Sequence, residues 1–335
     1  MNAEALDAAL DATAMSGSFI RSMRPEVHED DVITKEDDSP VTIADLAAQV
    51  LIRLHLEEEA QVPAFPMCGE EGSQLLREPG SDRLRSRVLE LVQSMKPSIN
   101  DAEMLALLDR GSHRPDPESD PTCWICDPID GTKRYLSGHR YSSCLGLLVE
   151  GQLVCGAIAC PDLGGAPHDP VDVADANGSL YGALHGGGAF LIADLPSGSA
   201  GRRTRLTLPR RDEENPVVRV ARSVGSTGLK PEHVWAGLEA NGALLEIVPI
   251  DNQCKYVALA TDRVDCLYQH AGSPDAEAAC IWDFAPGVLL AAEAGAEVLD
   301  RAGRPFDFNQ GSHLRANRGL AANGPGIARF FSPVV

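Results

Sequence analysis

Residues 124–135 read WICDPIDGTKRY. An apolar run leads into two aspartates, Asp127 and Asp130, with Pro128 between them and a glycine and a threonine behind. Pro128 has no amide hydrogen and a fixed φ, so the chain is expected to leave strand geometry there and to be stiff where the carboxylates begin. Such a segment presents its acids instead of packing them.

The rest of the chain bounds what those acids meet. With 335 residues, 44% of them hydrophobic, there is apolar material for one large or two medium domains. No run approaches the roughly 18 apolar residues of a membrane span. The first residues, MNAEALDAALDATAMSG, carry acid where a signal peptide carries base. A soluble, cytoplasmic protein with no membrane partner is expected. Nine cysteines, an odd number set in apolar segments (Cys144, Cys155, Cys160, Cys266, Cys280), fit buried reduced thiols better than a disulfide framework. Cys123 and Cys126 have C-x-x-C spacing. On an extended segment, however, they point to opposite faces, and no second Cys or His pair of suitable spacing follows, so no zinc or redox centre is expected. The net charge of −20, from 49 acidic and 29 basic residues, argues against a nucleic-acid polymer as partner. A small anion would need the field reversed locally, and carboxylates clustered around divalent cations do that.

Helical periodicity covers residues 2–24, 44–60 and 82–95. Strands are expected at 124–127, 142–149 and 153–160, the last two joined by the hairpin signature Glu150-Gly151, with a further pair at 181–185 and 189–192. The polar stretch RRDEENP, 210–216, is the expected boundary between an N-terminal α+β half, residues 1–210, and a C-terminal α/β half, residues 211–335. Beyond it a strand is expected at 217–221, helices at 231–241 and from about 253, and a strand near 265–269. In IWDFAPGVLLAAEAGA, 281–296, Asp283 is expected at the N-cap, Pro286 in the first turn and Gly295 at the close.

Three further acids sit where side chains are presented: Asp45 in SPVTIAD, and Glu70 and Glu71 in CGEEGS. With Asp127, Asp130 and Asp283 they form a set suited to Mg²⁺, which takes one or two carboxylates plus waters and phosphate oxygens. Converging carboxylates repel by about 1 kcal/mol per pair in water and several-fold more when partly buried, so bound cations are what would make the convergence tolerable.

Glu70-Glu71, Asp127-Pro128-Ile129-Asp130-Gly131-Thr132 and Trp282-Asp283 with its Gly/Ala-rich helix resemble the three signatures of the lithium-sensitive, Mg²⁺-dependent phosphatases of the inositol monophosphatase superfamily. Within it the chain is more similar to the 3'(2'),5'-bisphosphate nucleotidases. Ser39-Pro40-Val41-Thr42 precedes Asp45, the motif reads DGTK, Gly156 to Pro161 ends in Cys-Pro, and Asp251-Asn252-Gln253-Cys254-Lys255-Tyr256 resembles D-S-Q-x-K-Y. The long connection from Gly72 to Cys123 also fits. The resemblance implies a layered αβαβα sandwich of the sugar-phosphatase type. It implies two or three Mg²⁺ ions on Glu70, Asp127, Asp130, Asp283 and the carbonyl of Ile129, with Asp45 and Thr132 positioning the attacking water. The phosphate would lie on the Gly131-Thr132 amides. The implied substrate is adenosine 3',5'-bisphosphate, cleaved to AMP and phosphate, with the sulfated 3'-phosphoadenosine 5'-phosphosulfate as a second candidate. Lys255, Asn252 and Ser223 would hold the substrate. The alternative is an inositol polyphosphate 1-phosphatase or inositol monophosphatase, and the chain would act as a monomer or homodimer.

The departures lie on the recognition side. Asn252 replaces the serine of D-S-Q-x-K-Y, Ser223-Val224-Gly225-Ser226 lacks the imidazoles of S-H-S-S-H, and Gln269 stands where that branch has an arginine. Lys133-Arg134-Tyr135-Leu136-Ser137-Gly138-His139 replaces K-G-F-L-R-G-E.

Overall fold

The computed structural model describes residues 2–330 apart from 36–37, 59, 61, 117–118, 166–174, 176, 193–194, 213–216, 224–240 and 270–277. The chain opens with α1 (Asn2–Met23), β1 (Val32–Thr34), β2 (Pro40–Thr42) and α2 (Ile43–Glu58). It continues through β3 (Met67–Gly69), α3 (Gln74–Arg77), α4 (Asp82–Met95) and α5 (Asp101–Gly111) to β4 (Thr122–Asp130) and the short α6 (Thr132–Leu136). A meander follows: β5 (Ser142–Val149), β6 (Gln152–Cys160), β7 (Ser179–Leu184), β8 (Gly188–Ile192) and β9 (Arg203–Leu206). The remainder is β10 (Val217–Arg222), β11 (Leu244–Pro249), α7 (Cys254–Ala260), β12 (Cys266–Gln269), α8 (Ala285–Glu293), β13 (Glu297–Leu299) and β14 (Leu320–Asn323).

Two sheets carry the architecture. Seven strands run in the order β3-β4-β5-β6-β7-β8-β9, and five in the order β11-β10-β12-β14-β13. β3 joins β4 in parallel, and the meander from β4 to β9 is antiparallel throughout. The Glu150-Gly151 turn has positive φ at both residues, as a tight hairpin requires.

Side chains alternate across a strand, and β4 shows the result. Trp124 and Cys126 enter a core with Leu6 and Leu10 of α1 and Leu56 of α2. Cys123 and Ile125 enter another with Val257 of α7 and Leu289 of α8. Burial on both faces is why this strand reads as an unbroken apolar run. It also sends the two cysteines of the C-x-x-C pair into different cores, and all nine cysteines are free thiols. The layers run α1 and α2, seven-stranded sheet, α7 and α8, five-stranded sheet, making a layered α/β sandwich. The helix expected at 231–241 lies outside the described residues, except Asn241, which lies in a turn. No helix among the described residues is long and apolar enough to cross a membrane.

One expectation is corrected. β4 does not stop at Pro128 but runs on to Asp130, because the proline sits in a bulge where the ladder is already interrupted.

Candidate functional site

The bulge decides where the acids point. Asp127 pairs with Cys144 and Asp130 with Ser142, so Pro128 and Ile129 together oppose Ser143 alone. In a regular strand, residues three apart face opposite sides. The extra residue cancels that and turns both carboxylates to one side. Gly131 then takes φ +93°, and a Cβ there would lie 2.7 Å from the Asn252 side-chain nitrogen, so only glycine fits.

β3 brings the next acids. Its parallel register sets Gly69 beside Cys126, which carries Glu70 to the level of Asp127, and the Glu70 N–H donates to the Cys126 carbonyl at 3.1 Å. Gln49, on α2, clamps the neighbouring residue: its Oε1 accepts the Glu71 N–H at 2.9 Å and its amide donates back to the Glu71 carbonyl. Glu71 is the more buried of the pair, at 2% exposure.

Asp45 is fully buried at the start of α2 and forms a capping box with Thr42. Its Oδ2 accepts the Thr42 N–H at 2.9 Å and hydroxyl at 2.6 Å, while the Asp45 N–H donates to Thr42 Oγ1 at 3.3 Å. The second oxygen looks the other way: Oδ1 accepts the Thr132 hydroxyl at 3.0 Å, and that hydroxyl also lies 3.1 Å from the Ile129 carbonyl.

Asp283 does not cap α8. It closes a 3-10 turn of its own, Ile281–Asp283, and Phe284 takes the cap position without a side-chain bond. Freed from the cap, its carboxylate is within electrostatic reach of Glu70 and Asp130. Pro286 in the first turn of α8 and Gly295 (φ +106°) after its end are as expected.

The acids lie within electrostatic reach of one another. Burial, followed by Glu70, Asp130, Asp283 and Asp45, raises Asp127 well above the usual carboxylate range. Burial, followed by Glu70 and Asp130, does the same to Asp283. By surface area Asp283 is exposed, so water relieves part of that rise. Burial pushes Asp45 and Asp130 up to about 6, against hydrogen bonds that pull Asp45 down and against the Lys255 charge and hydrogen bonds that pull Asp130 down. Asp127 Oδ1 is buried with no hydrogen-bond partner. Lys35 is the local counter-charge: its ammonium lies 2.8 Å from Glu70 Oε1 and 2.6 Å from Glu71 Oε1. Among the described residues, no three His, Cys, Asp or Glu side chains form a ready-made ion cage. The acids are gathered around Asp127 but not drawn together.

On the recognition side, the Lys255 ammonium donates to Gln269 Oε1 at 2.9 Å and is close enough to feel Asp130 and Asp283. Asn252 has φ +49°, and its amide is occupied by backbone: Nδ2 donates to the Arg140 carbonyl at 2.7 Å and Oδ1 accepts the Cys254 N–H at 2.9 Å. Ser223, half-buried, follows the end of β10 at the edge of the described residues. Reasoning from sequence missed Gln49, Lys35 and the buried Gln253. The available signals were Gln49 at i+4 from Asp45, on the same face of α2, and the place of Gln253 in the segment resembling D-S-Q-x-K-Y.

Residues 1–329 match the inositol monophosphatase family, and the chain belongs to it. It is 33% identical over 323 residues to a 3'(2'),5'-bisphosphate nucleotidase of Emericella nidulans, covering 87% of this chain and 86% of that one. It is 30% identical over 339 residues to the enzyme of that name from Oryza sativa, covering 95% and 89%. Among solved structures, CysQ from Bacteroides thetaiotaomicron superposes with TM-score 0.62 at 21% identity, over 95% of this chain and 96% of that one. The Thermotoga maritima IMPase superposes with TM-score 0.60 at 17% identity, over 97% and 93%.

Proposed function

We propose that this chain is a Mg²⁺-dependent phosphatase that removes the 3'-phosphate of adenosine 3',5'-bisphosphate, giving AMP and phosphate. The observation that carries the chemistry is Asp127, a buried carboxylate with an unpartnered oxygen among Glu70, Asp130 and Asp283. A buried acid so placed is costly unless a cation meets it. The donors fit Mg²⁺, because this ion needs only one or two carboxylates at each site and completes its shell with water and phosphate. Glu70, Asp127, Asp130, Asp283 and the Ile129 carbonyl would hold two or three ions. When bound, they would supply Lewis acidity, making a water more acidic and neutralising the phosphoryl oxygens.

The chain's own groups do the rest. Asp45, mostly ionised at neutral pH, accepts the Thr132 proton, which leaves the Thr132 lone pairs free to accept a hydrogen bond from the attacking water. The Gly131 and Thr132 amides lie at the turn where the phosphate would settle. Lys255 would meet the second phosphate as a point charge.

The nucleotide assignment is supported by the two nucleotidase relatives, which align over most of the chain. The absence of imidazole at 223–226 and the neutral Gln269 beside Lys255 favour an inositol phosphate as the second reading, because both thin the positive charge on the recognition side. Phosphate release from adenosine 3',5'-bisphosphate, its sulfated analogue, inositol 1,4-bisphosphate and inositol 1-phosphate, with Mg²⁺ and with added Li⁺, decides between them. A higher kcat/KM for an inositol phosphate than for both nucleotides would overturn the nucleotide assignment.

A further inference from the structure

We infer that Gln253 is a positioning residue that fixes the spacing between Asp130 and Asp283, and through it the affinity of the site for Mg²⁺. The inference rests on the metal reading above.

Gln253 is fully buried immediately before α7. Its backbone N–H donates to Asp130 Oδ2, which also accepts the Ser142 hydroxyl at 3.1 Å. Its side chain reaches the other way. Nε2 donates to the Trp282 carbonyl at 2.8 Å, and Oε1 accepts the Gly287 N–H at 2.8 Å. Trp282 immediately precedes Asp283, and Gly287 lies in the first turn of α8. One residue thus ties the end of β4 in the seven-stranded sheet to the turn that presents Asp283.

A primary amide at the end of a two-carbon stem donates to one carbonyl and accepts from one N–H with the same head group. A carboxylate would set oxygen against the Trp282 carbonyl, and a thioether would satisfy neither partner. The segment carrying Gln253 is itself gripped from both sides. The Arg134 guanidinium pairs with Asp251 at 2.6 Å, Asn252 bonds Arg140, and Gly287 leaves room for the Tyr256 ring, which a Cβ there would approach to 2.3 Å. Two like charges drift apart unless something holds them, and Gln253 holds the Asp130 carboxylate on one side and the backbone on either side of Asp283 on the other. Partners that orient metal ligands typically change metal affinity by about 10–100-fold when removed.

The test is calorimetric titration of the full chain with MgCl₂, without substrate, alongside thermal unfolding in EDTA. Gln253→Met is expected to bind Mg²⁺ about 10–100-fold more weakly. Its half-saturating Mg²⁺ in the phosphatase assay should rise in step while kcat at saturating Mg²⁺ changes little. Should that variant fold poorly, Gln253→Asn keeps the polarity but is too short for both partners, and the same direction is expected. Val264→Ala, a buried change after α7 that touches none of these bonds, controls for general loosening and should leave Mg²⁺ affinity unchanged. Affinity in the Gln253 variants within about threefold of the parent, or an equal loss in Val264→Ala, overturns the inference. If the parent chain itself binds no Mg²⁺, the metal reading falls and this inference with it, whereas Mg²⁺ binding insensitive to Gln253 removes this inference alone.

Discussion

Replacing Thr132 with valine keeps the branched shape and removes only the hydroxyl. Two things are lost: a bond to a charged acceptor, Asp45 Oδ1 at 3.0 Å, and the group that would orient the attacking water. Hydrogen bonds to charged groups contribute about 1.5–3 kcal/mol, and Asp45 is fully buried, so its orphaned oxygen finds no water in exchange. With an unfolding entropy of about 2.1 cal/mol/K per residue, 335 residues give about 1.4 °C per kcal/mol, so Tm should fall by about 2–4 °C. The fold survives because Asp45 keeps its Thr42 bonds. Loss of the hydroxyl that orients the attacking water should lower kcat by about 10²-fold. Phosphate release at saturating substrate, titrated with Mg²⁺, separates the effects. kcat should fall while half-saturating Mg²⁺ stays put, and Thr132→Ser should recover most of the rate. A Thr132→Val kcat within threefold of the parent would refute the Asp45–Thr132 assignment, as would a loss that extra Mg²⁺ restores.

Asp127→Asn should abolish turnover and weaken Mg²⁺ binding yet raise Tm in EDTA, because a neutral amide removes the cost of burying a charge and, with it, the repulsion from Glu70 and Asp130; a lower Tm in EDTA would contradict this account. Lys35→Met leaves Glu71, 2% exposed, without its counter-charge. Breaking a buried pair costs about 3–5 kcal/mol, so Tm in EDTA should drop by several degrees and Mg²⁺ should recover part of it. Asp45 and Asp130 hold protons up to about pH 6 in the folded chain but only to about 3.8 when unfolded. The folded state therefore binds more protons between those values, and stability falls as pH rises through that window, by about 3 kcal/mol for each group once pH exceeds 6. Mg²⁺ should offset the loss, giving a larger Tm gain at pH 7.5 than at pH 5; equal gains would discount the two acids. Lys255→Ala should raise KM for the nucleotide more than for inositol 1-phosphate, and equal effects would discredit its assigned role.

How much of this was legible depended on how local each signal is. α4 spans 82–95 as its periodicity requires, and β5 spans 142–149. α5 was not foreseen, although Asn100 caps it through a 3.0 Å bond from the Glu103 N–H. Asp45, Glu70, Asp127, Asp130 and Asp283 could be named because each sits in a short motif that survives as a pattern of neighbours. Their convergence could not be read there. It depends on a bulge that turns two aspartates to one face, on the parallel register that levels Glu70 with Asp127, and on a 3-10 turn that withdraws Asp283 from its cap. Lys35 carries no signature, and the motif that contains Gln253 does not say what its side chain bonds, because a salt bridge or a buried amide bond is defined by the distance between residues remote in the chain. Sequence alone determined which groups are available for the chemistry, since identity and near-neighbour spacing are properties of the chain. The tertiary structure decided which of them meet, because hydrogen-bond register and packing set those distances only once both sheets are in place.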